Sequence, residues 1–475
     1  MTDPKFIAYV DQHKDDFVQR LAKAVGIPSV SGNIDYNKDV YAMADFLVDQ
    51  LNKLGCTAEK RGIGKHTLAG QEVDLPPVVI GQIGSDPKKR TVLIYGHYDV
   101  QPALKEDGWI HDPFKLTIDP EGTGKMYGRG STDDKGPVMG WLNVLEAHKA
   151  LGLELPVNVK VIFEGMEETG SVGLPEFIEA EKDNFFTGID CMCISDNYWL
   201  GTKIPCLTYG TRGVAYYEIH VSGPDRDLHS GVFGGMINEP MTDLIHLMSK
   251  LVTPQAEILV PGIKEMIAPV TEDERAKFEA IHFDMKDVHD SMGGDVTLSD
   301  DKVEVLMGRM RNPCLSLHGI EGAFYATGSK TVIPCSVKGK FSIRLVPNLW
   351  VKETTECVVK YVDAEFKKLG TKNKCEVRLT HGGEPWATDP NHYSYRAAQK
   401  ATETVYGQTP DYTREGGSIP ITADFANILG LNVLLLPVGR GDDGAHSTNE
   451  KLDMDNYING TKLLGSYLYE LANAQ

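Results

Sequence analysis

The sequence predicts an α/β fold in which one discontinuous α/β domain is interrupted by an inserted α+β domain. Short continuous apolar runs are separated by helical segments in the first part of the chain, and a similar run recurs near the C-terminus. Such runs are typical of sheets that are covered on both faces. In the middle third, apolar and polar residues alternate, as in sheets with one covered face. We therefore predict the discontinuous domain at 1–208 and 384–475, and the inserted domain at 209–383.

The first part of the chain contains two predicted helices. One is marked by apolar residues that step by four and three along a single face and end before Gly55; they are Val40, Ala44, Leu47, Leu51 and Leu54. The other begins at Pro137, where the missing N–H costs nothing, and ends near Gly152.

The predicted strands fall into two groups that differ in pattern. The buried strands of the discontinuous domain are predicted at 92–95, 157–163, 191–194 and 433–438. The half-covered strands of the inserted domain are predicted at 215–221, 337–346 and 375–380, and amphipathic helices are expected at 239–251 and 352–369.

Composition and charge exclude several classes of protein. With 475 residues, 41% of them hydrophobic and 24% charged, the chain is an ordinary globular protein and not a disordered, collagen-like or coiled-coil one. The 48 basic and 67 acidic residues give a net charge of −19. Phosphate backbones and anionic lipids would repel such a surface, so we expect neither nucleic acid nor a membrane as a partner.

The remaining global features favour the cytoplasm. The N-terminal residues lack the continuous apolar core of a signal peptide, and no apolar run is long enough to span a bilayer. The eight cysteines include no CxxC pair, which is typical of reduced thiols and not of a disulfide framework.

Each predicted buried strand leads into residue types that bind metal ions. Because ligands of open α/β sheets bind at the carboxyl ends of the strands, these side chains are expected to meet at one edge. Two imidazoles among carboxylates suit zinc or manganese. The residues that follow the four strands are His97 and Asp99, Glu167 and Glu168, Asp196, and His446. A further acidic pair, Asp133 and Asp134, lies in a glycine-rich loop.

The spacing of these residues suggests which side chains can share a role and which can have different roles. His97 and Asp99 are two apart on an extended segment and so point to the same side, which lets Asp99 orient the imidazole. The neighbours Glu167 and Glu168 point apart, so one can bind metal while the other transfers protons. These residues alone leave open which carboxylate has which role.

Five spaced motifs resemble those of the aminoacylase/carboxypeptidase-type di-metal exopeptidases. They lie at 96–102, 128–136, 164–171, 194–197 and 444–447, in order across nearly the whole chain. Segments 198–201, 227–231 and 414–420 most resemble the carnosinase-like dipeptidases within that family. The resemblance implies a catalytic domain with a mixed sheet between helices, an inserted lid and dimerisation domain, and two divalent metal ions, Mn²⁺ or Zn²⁺.

The resemblance also implies the set of metal ligands. Asp133 would bridge the two ions. His97 and Asp196 would complete the coordination of one ion, and Glu168 and His446 that of the other.

The same resemblance implies the catalytic roles of two more carboxylates. Glu167 would be the general base, and Asp99 would orient His97. Two cations would lower the pKa of a shared water towards ~7, and Glu167 would accept its proton and pass it to the leaving amine. The peptide bond between Asp133 and Asp134 is expected to be cis.

Substrate binding is expected to involve both domains and a second subunit. Arg344 lies on the polar face of an alternating strand, and a guanidinium can bind a terminal carboxylate through two parallel hydrogen bonds. The resemblance implies that His229 comes from the partner of a homodimer and stabilises the oxyanion. The implied substrate contacts are Glu167, His229, Thr331, Arg344, Ser418 and His446.

The expected function is metal-dependent hydrolysis of unblocked dipeptides, such as Cys-Gly or carnosine-like peptides. An N-acyl-amino-acid deacylase or a carboxypeptidase of the same family is the alternative, and a non-catalytic peptide-binding scaffold is the alternative from another class. The absence of GxSxG disfavours a serine hydrolase, and 128–136 lacks the GxGxxG spacing of dinucleotide-binding proteins.

Overall fold

The computed structural model describes residues 2–475. Its α-helices are α1 Pro4–Gln12, α2 Lys14–Val25, α3 Asn37–Leu54, α4 Lys135–Leu151, α5 Leu174–Glu181, α6 Ser230–Phe233, α7 Pro240–Met248, α8 Ile263–Met266, α9 Glu272–Ala280, α10 Met285–Met292, α11 Lys302–Met310, α12 Val351–Lys368, α13 Tyr393–Tyr406, α14 Pro420–Leu429 and α15 Met454–Asn473.

The strands are β1 Thr57–Arg61, β2 Lys65–Leu68, β3 Gln71–Asp74, β4 Val78–Ile83, β5 Thr91–His97, β6 Thr117–Ile118, β7 Lys125–Tyr127, β8 Asn158–Glu164, β9 Cys191–Ile194, β10 Cys206–Thr211, β11 Gly213–Ser222, β12 Leu228–His229, β13 Cys314–Glu321, β14 Val332–Ile333, β15 Ser336–Leu345, β16 Lys374–Gly383, β17 Trp386–Ala387, β18 Asp411–Glu415, β19 Val433–Leu435 and β20 Lys451–Asp453.

A mixed sheet organises the discontinuous domain. Its order is β1-β4-β8-β5-β9-β19-β10-β17, and β18 pairs with β10. The four central strands, β8, β5, β9 and β19, are mutually parallel, whereas β4 runs antiparallel to β8 and β10 runs antiparallel to β19. The predicted α/β class is confirmed, and the carboxyl ends of four strands share one edge.

Helices cover both faces of this sheet, which explains the continuous apolar runs. In β5, Val92 and Ile94 pack into the core beneath α1–α4, α13 and α15. The intervening Leu93 and Tyr95 pack into the opposite core with α5 and α14. Because every residue of the strand is enclosed, the polar alternation of a half-exposed strand is lost.

The predicted elements of this domain are close to the observed ones. The helix expected to end before Gly55 is α3, and Gly55 has the positive φ of 101° that ends a helix without steric cost. The helix expected from Pro137 is α4, which begins two residues earlier, at Lys135. The strand expected at 433–438 is shorter, because Pro437 cannot donate a ladder hydrogen bond and β19 ends at Leu435.

The inserted domain contains a separate antiparallel sheet, in the order β13-β15-β11-β16. In β11, Ala215, Tyr217, Ile219 and Val221 are completely buried and alternate with partly exposed residues. Their core is closed by α7 and α12, which correspond to the helices predicted at 239–251 and 352–369. The predicted α+β class of the inserted domain is therefore confirmed, and the domain boundaries stay a prediction.

A helical segment formed by α8–α11 was not predicted. Phe278, Leu306 and Met310 form a small core within it. The segment packs against the catalytic domain, where His282 donates from its backbone N–H to Asp411 of β18. It therefore links the inserted sheet to the large sheet.

Candidate metal centre

The carboxyl edge of the parallel strands carries most of the predicted ligands. His97 is the last residue of β5, and Asp196 lies just beyond β9. Glu167 and Glu168 begin the short 3-10 turn that follows β8. Because β8, β5 and β9 are adjacent and parallel, these side chains reach the same side of the sheet.

Two loops complete the cluster at this edge. Asp133 precedes α4, and its peptide bond to Asp134 is cis, as expected. The carboxylate of Asp134 accepts a hydrogen bond from the backbone N–H of His97 at 3.1 Å. Gly96 allows this approach, since a Cβ there would lie 2.6 Å from Asp134 Oδ2. His446 comes from the long loop after β19.

Asp133 lies between two groups of potential ligands. Its Oδ1 is 3.1 Å from His97 Nε2, which is also 3.6 Å from Asp196 Oδ1. Its Oδ2 is 3.1 Å from His446 Nε2, which is also 3.0 Å from Glu168 Oε2. In each group, the possible ligand atoms all lie within 4.8 Å of one another. The two oxygens of one carboxylate thus face two separate imidazole–carboxylate groups.

The chemistry of these donors suits divalent cations. Imidazole nitrogens combined with carboxylate oxygens are ligands of zinc and manganese. A third acidic group, formed by Asp442, Asp443 and Asp453, differs because Lys451 occupies its centre. The Lys451 ammonium donates to Asp442 at 2.9 Å, to Asp443 at 2.7 Å and also to Asp453. That group is an ion-pair network.

The electrostatics of the protein alone favour positive charge at the centre. Hydrogen bonds to Asp133 and Glu168 raise the pKa of His446 to about 11. Burial opposes protonation of His97, yet Asp196 and Asp133 together raise its pKa well above the usual value. In the absence of cations, protons on the imidazoles balance the carboxylates, and bound cations would take over that role.

Glu167 faces the same cavity as the ligand groups. Burial raises the pKa of its carboxyl well above the usual value; the positive His97 opposes that rise, and the nearby Asp196 carboxylate adds to it. A carboxylate with raised proton affinity is suited to general base chemistry.

Asp99 holds both the imidazole and the acidic pair in place. Its Oδ1 is 3.4 Å from His97 Nδ1, and its backbone carbonyl is 3.1 Å from the same nitrogen. The backbone N–H groups of Glu167 and Glu168 donate to its carboxylate at 3.3 and 3.1 Å. The Ser31 hydroxyl donates to it at 2.6 Å. One buried carboxylate therefore fixes the orientation of three site residues.

Two further polar residues that support the site were not predicted. Gln101 donates to Glu168 through its backbone N–H and through its side chain, at 3.1 and 2.8 Å. Glu450 is completely buried and accepts hydrogen bonds from the loop that carries Asp133. A lone Gln or Glu has no sequence signal of its own, because its partners lie far away along the chain.

A cavity of about 300 Å³ opens onto the cluster. Its walls include Glu167 and the potential ligands Asp133, Asp196 and His446. The other walls include Tyr198, Trp199, Arg309, Arg414, Glu415, Gly417 and Ser418. This volume is at the lower end of the ~300–1,000 Å³ range of small-molecule sites, so it favours a short substrate.

The predicted substrate contacts are divided between two places. Arg344, on β15 of the inserted domain, donates to the Ser418 hydroxyl at 3.1 Å, at the wall of the cavity. His229 and Thr331 are exposed and lie elsewhere, His229 at the end of β12 and Thr331 just before its partner strand β14, and neither is among the residues that line the cavity. The chain therefore brings Arg344 and Ser418 to its own site, but not His229 or Thr331.

Fold and site together define a class, the metallopeptidases in which an α/β catalytic domain carries an inserted α+β domain. The chain belongs to peptidase family M20/M25/M40, whose model matches residues 93–470. The resemblance to di-metal exopeptidases is therefore confirmed, and the protein is a hydrolase acting on peptide bonds that uses divalent metal.

Individual relatives match almost the full chain. The Cys-Gly metallodipeptidase dug1 of Schizosaccharomyces pombe is 54% identical over 474 residues, which cover 100% of this chain and 99% of that protein. The human Beta-Ala-His dipeptidase is 46% identical over 471 residues, with 98% and 92% covered. The solved structure of the dipeptidase Dug1p from Saccharomyces cerevisiae has 49% identity and a TM-score of 0.90, with 99% and 98% covered.

Among residues 2–475, no helix is both long and apolar enough to cross a bilayer.

Proposed function

We propose that the protein is a dipeptidase that uses two divalent cations, Mn²⁺ or Zn²⁺, to hydrolyse unblocked dipeptides. The observation that carries the proposal is the position of Asp133, whose two oxygens face separate imidazole–carboxylate groups. One ion would be held by His97, Asp133 and Asp196, and the other by Asp133, Glu168 and His446. Two bound cations would supply Lewis acidity and an acidified water.

Glu167 is the general base of this proposal. It lines the cavity beside both ligand groups, and burial raises its pKa, which strengthens it as a proton acceptor. It accepts a proton from the attacking water and returns it to the amine that leaves when the peptide bond breaks. Asp99 fixes the backbone of Glu167 and the ring of His97, so both remain aligned during the reaction.

Arg344 and Ser418 bind the carboxyl terminus of the substrate in this proposal. The guanidinium and the hydroxyl are in contact across the domain boundary, and they provide a charged donor and a neutral one. A terminal carboxylate would be gripped at this point while the peptide bond lies at the ligand groups. A small cavity between these two anchor points leaves room for two residues, which supports dipeptides as substrates.

A second copy of the chain completes the site. His229 is exposed, and its Nδ1 accepts the backbone N–H of Gly231 at 3.0 Å, which leaves the proton on Nε2. That N–H is free to donate to a developing oxyanion, but the residue lies away from its own cavity. We therefore place His229, together with the adjacent Thr331, in the partner's active site within a homodimer.

The eight free cysteines support a reducing compartment, and we propose the cytoplasm. Cys-Gly and β-alanyl-histidine are the substrates in the names of two relatives described above, and we propose that peptides of this size are hydrolysed here.

A substrate panel tests the proposal. The metal-stripped enzyme is reconstituted with Mn²⁺ or Zn²⁺ and given Cys-Gly, β-Ala-His, their N-acetylated forms and the corresponding tripeptides. We expect hydrolysis of the free dipeptides only. Preference for the acetylated forms would identify a deacylase, efficient release of C-terminal residues from tripeptides would identify a carboxypeptidase, and binding without turnover would identify a scaffold.

A further inference from the structure

A second cavity lies where the helical segment meets the catalytic domain. We call it the hinge cavity; it has a volume of about 340 Å³. Its polar walls come from Glu274 and Lys277 of α9, from Arg311 just after α11, and from Tyr209 and Arg414 of the large sheet. None of these residues belongs to the candidate metal centre.

The charges that line the hinge cavity are unbalanced. Glu274 Oε1 is 3.1 Å from Arg311 Nε and 3.0 Å from Arg414 Nη2. The side chains of Arg311, Glu274 and Arg414 are only 6%, 14% and 17% exposed. One carboxylate thus faces two largely buried guanidinium groups, so one positive charge has no counterion within the triad. A buried charge without a partner is costly.

A donor in the same triad is also unsatisfied. Arg414 Nε is buried without a hydrogen-bond partner, while its guanidinium lies 5.1 Å from the centre of the Tyr209 ring. Lys277 adds a third positive charge at the rim, where it pairs at 2.8 Å with the exposed Asp273. In a chain of net charge −19, a cavity with three cations and one carboxylate is a local exception.

We propose that the hinge cavity binds a small oxyanion, a phosphate or a carboxylate, held by Arg311, Arg414 and Lys277. Guanidinium groups donate in a planar fork that matches the oxygens of both anions. The anion supplies the missing counterion to the two guanidinium groups. This site is additional to the dipeptidase site and does not depend on the metal ligands.

Binding of an anion in the hinge cavity is expected to affect the active site through Arg414. This arginine lines the hinge cavity and the substrate cavity alike. It also lies on β18, which leads directly into Gly417 and Ser418. An anion in the hinge cavity would therefore join the helical segment to the strand that carries the substrate-binding loop.

Calorimetric titration of the metal-loaded enzyme with inorganic phosphate, and separately with malonate, tests the proposal. The variants are Arg311→Met, which leaves a balanced Glu274–Arg414 pair, and Lys277→Met, which changes only the rim. Lys286→Met is the matched control, because Lys286 is an exposed lysine of the same segment outside the cavity.

In Arg311→Met, we expect one equivalent of phosphate or malonate fewer to bind than in the wild type, or that equivalent to bind about tenfold more weakly. The reason is that a charge-assisted hydrogen bond is removed. Lys277→Met should weaken binding less, and Lys286→Met should match the wild type. Anions bound at the metal ions remain in all four proteins, so they do not obscure the difference. If Arg311→Met does not fold, the anion affinity of Lys277→Met still tests the proposal. Equal stoichiometry and affinity in every folded protein, or no binding of either anion, would overturn the proposal.

Discussion

Replacement of Glu450 by Gln tests how the buried framework holds the Asp133 carboxylate, the proposed bridge between two metal ions. Glu450 accepts hydrogen bonds from the Arg129 guanidinium at 2.8 Å and from the backbone N–H groups of Gly130, Thr132 and Asp133 at 3.0, 3.0 and 3.2 Å. Four donors thus converge on one carboxylate, which fixes the loop that presents Asp133.

The magnitude follows from the loss of charge. The amide oxygen of the new Gln can accept only some of these four hydrogen bonds, and the amide NH₂ group faces other N–H donors. Arg129 also loses its buried counterion. Breaking one partner of a buried ion pair costs ~3–5 kcal/mol, so we expect the free energy of unfolding to fall by about 3 kcal/mol. We expect metal affinity to fall by about 10–100-fold, as when other supports of metal ligands are removed.

The measurements are chemical unfolding and competitive metal titration at pH 8. Burial raises the pKa of Glu450 to about 7, so the wild-type carboxylate is ionised at that pH. Glu164→Gln is the matched control. Glu164 is equally buried, but it accepts hydrogen bonds from Tyr95 and Ser171 instead of from the loop that carries Asp133. The control should lose stability but keep its metal affinity. If Glu450→Gln binds metal as tightly as the wild type, the loop does not need this carboxylate and the reasoning is wrong.

Three further substitutions separate the proposed roles. Glu167→Gln should lower kcat about 10²–10⁴-fold with unchanged metal content, because it removes only the proton acceptor; near-normal turnover would exclude it as the base. His229→Ala should lower kcat with metal content and dimer mass unchanged, and full turnover would refute the shared site. Arg344→Met should raise KM for dipeptides by about tenfold or more while metal binding is kept, because a charged contact with the carboxylate is lost; an unchanged KM would assign the carboxylate to other donors.

The parts of the fold that could be predicted are those in which the packing of one strand or helix is visible in its own pattern of apolar and polar residues. The run 92–95 is continuously apolar because both faces of β5 are covered, and that same property places His97 at the edge of a central strand. Alternation in β11 indicated one covered face, which α7 and α12 provide. In both cases the local sequence carries the information about the packing.

The helical segment could not be predicted because its packing is shared with distant residues. Helix α9 has one fully buried apolar residue, Phe278, among charged neighbours, so no apolar face is visible. Its Glu274 forms ion pairs that reach across the chain, as with Arg414. Glu450 escaped prediction for the same reason, because its partners lie more than three hundred residues away.

Diffraction from crystals grown with zinc or manganese, recorded at the absorption edge of the metal, tests the central claim most directly. Two anomalous peaks per chain, ~3.5–4 Å apart, are expected on either side of the Asp133 carboxylate, one beside His97 and the other beside His446. A single peak, or two peaks that do not share Asp133, would contradict the claim that one carboxylate joins two metal sites.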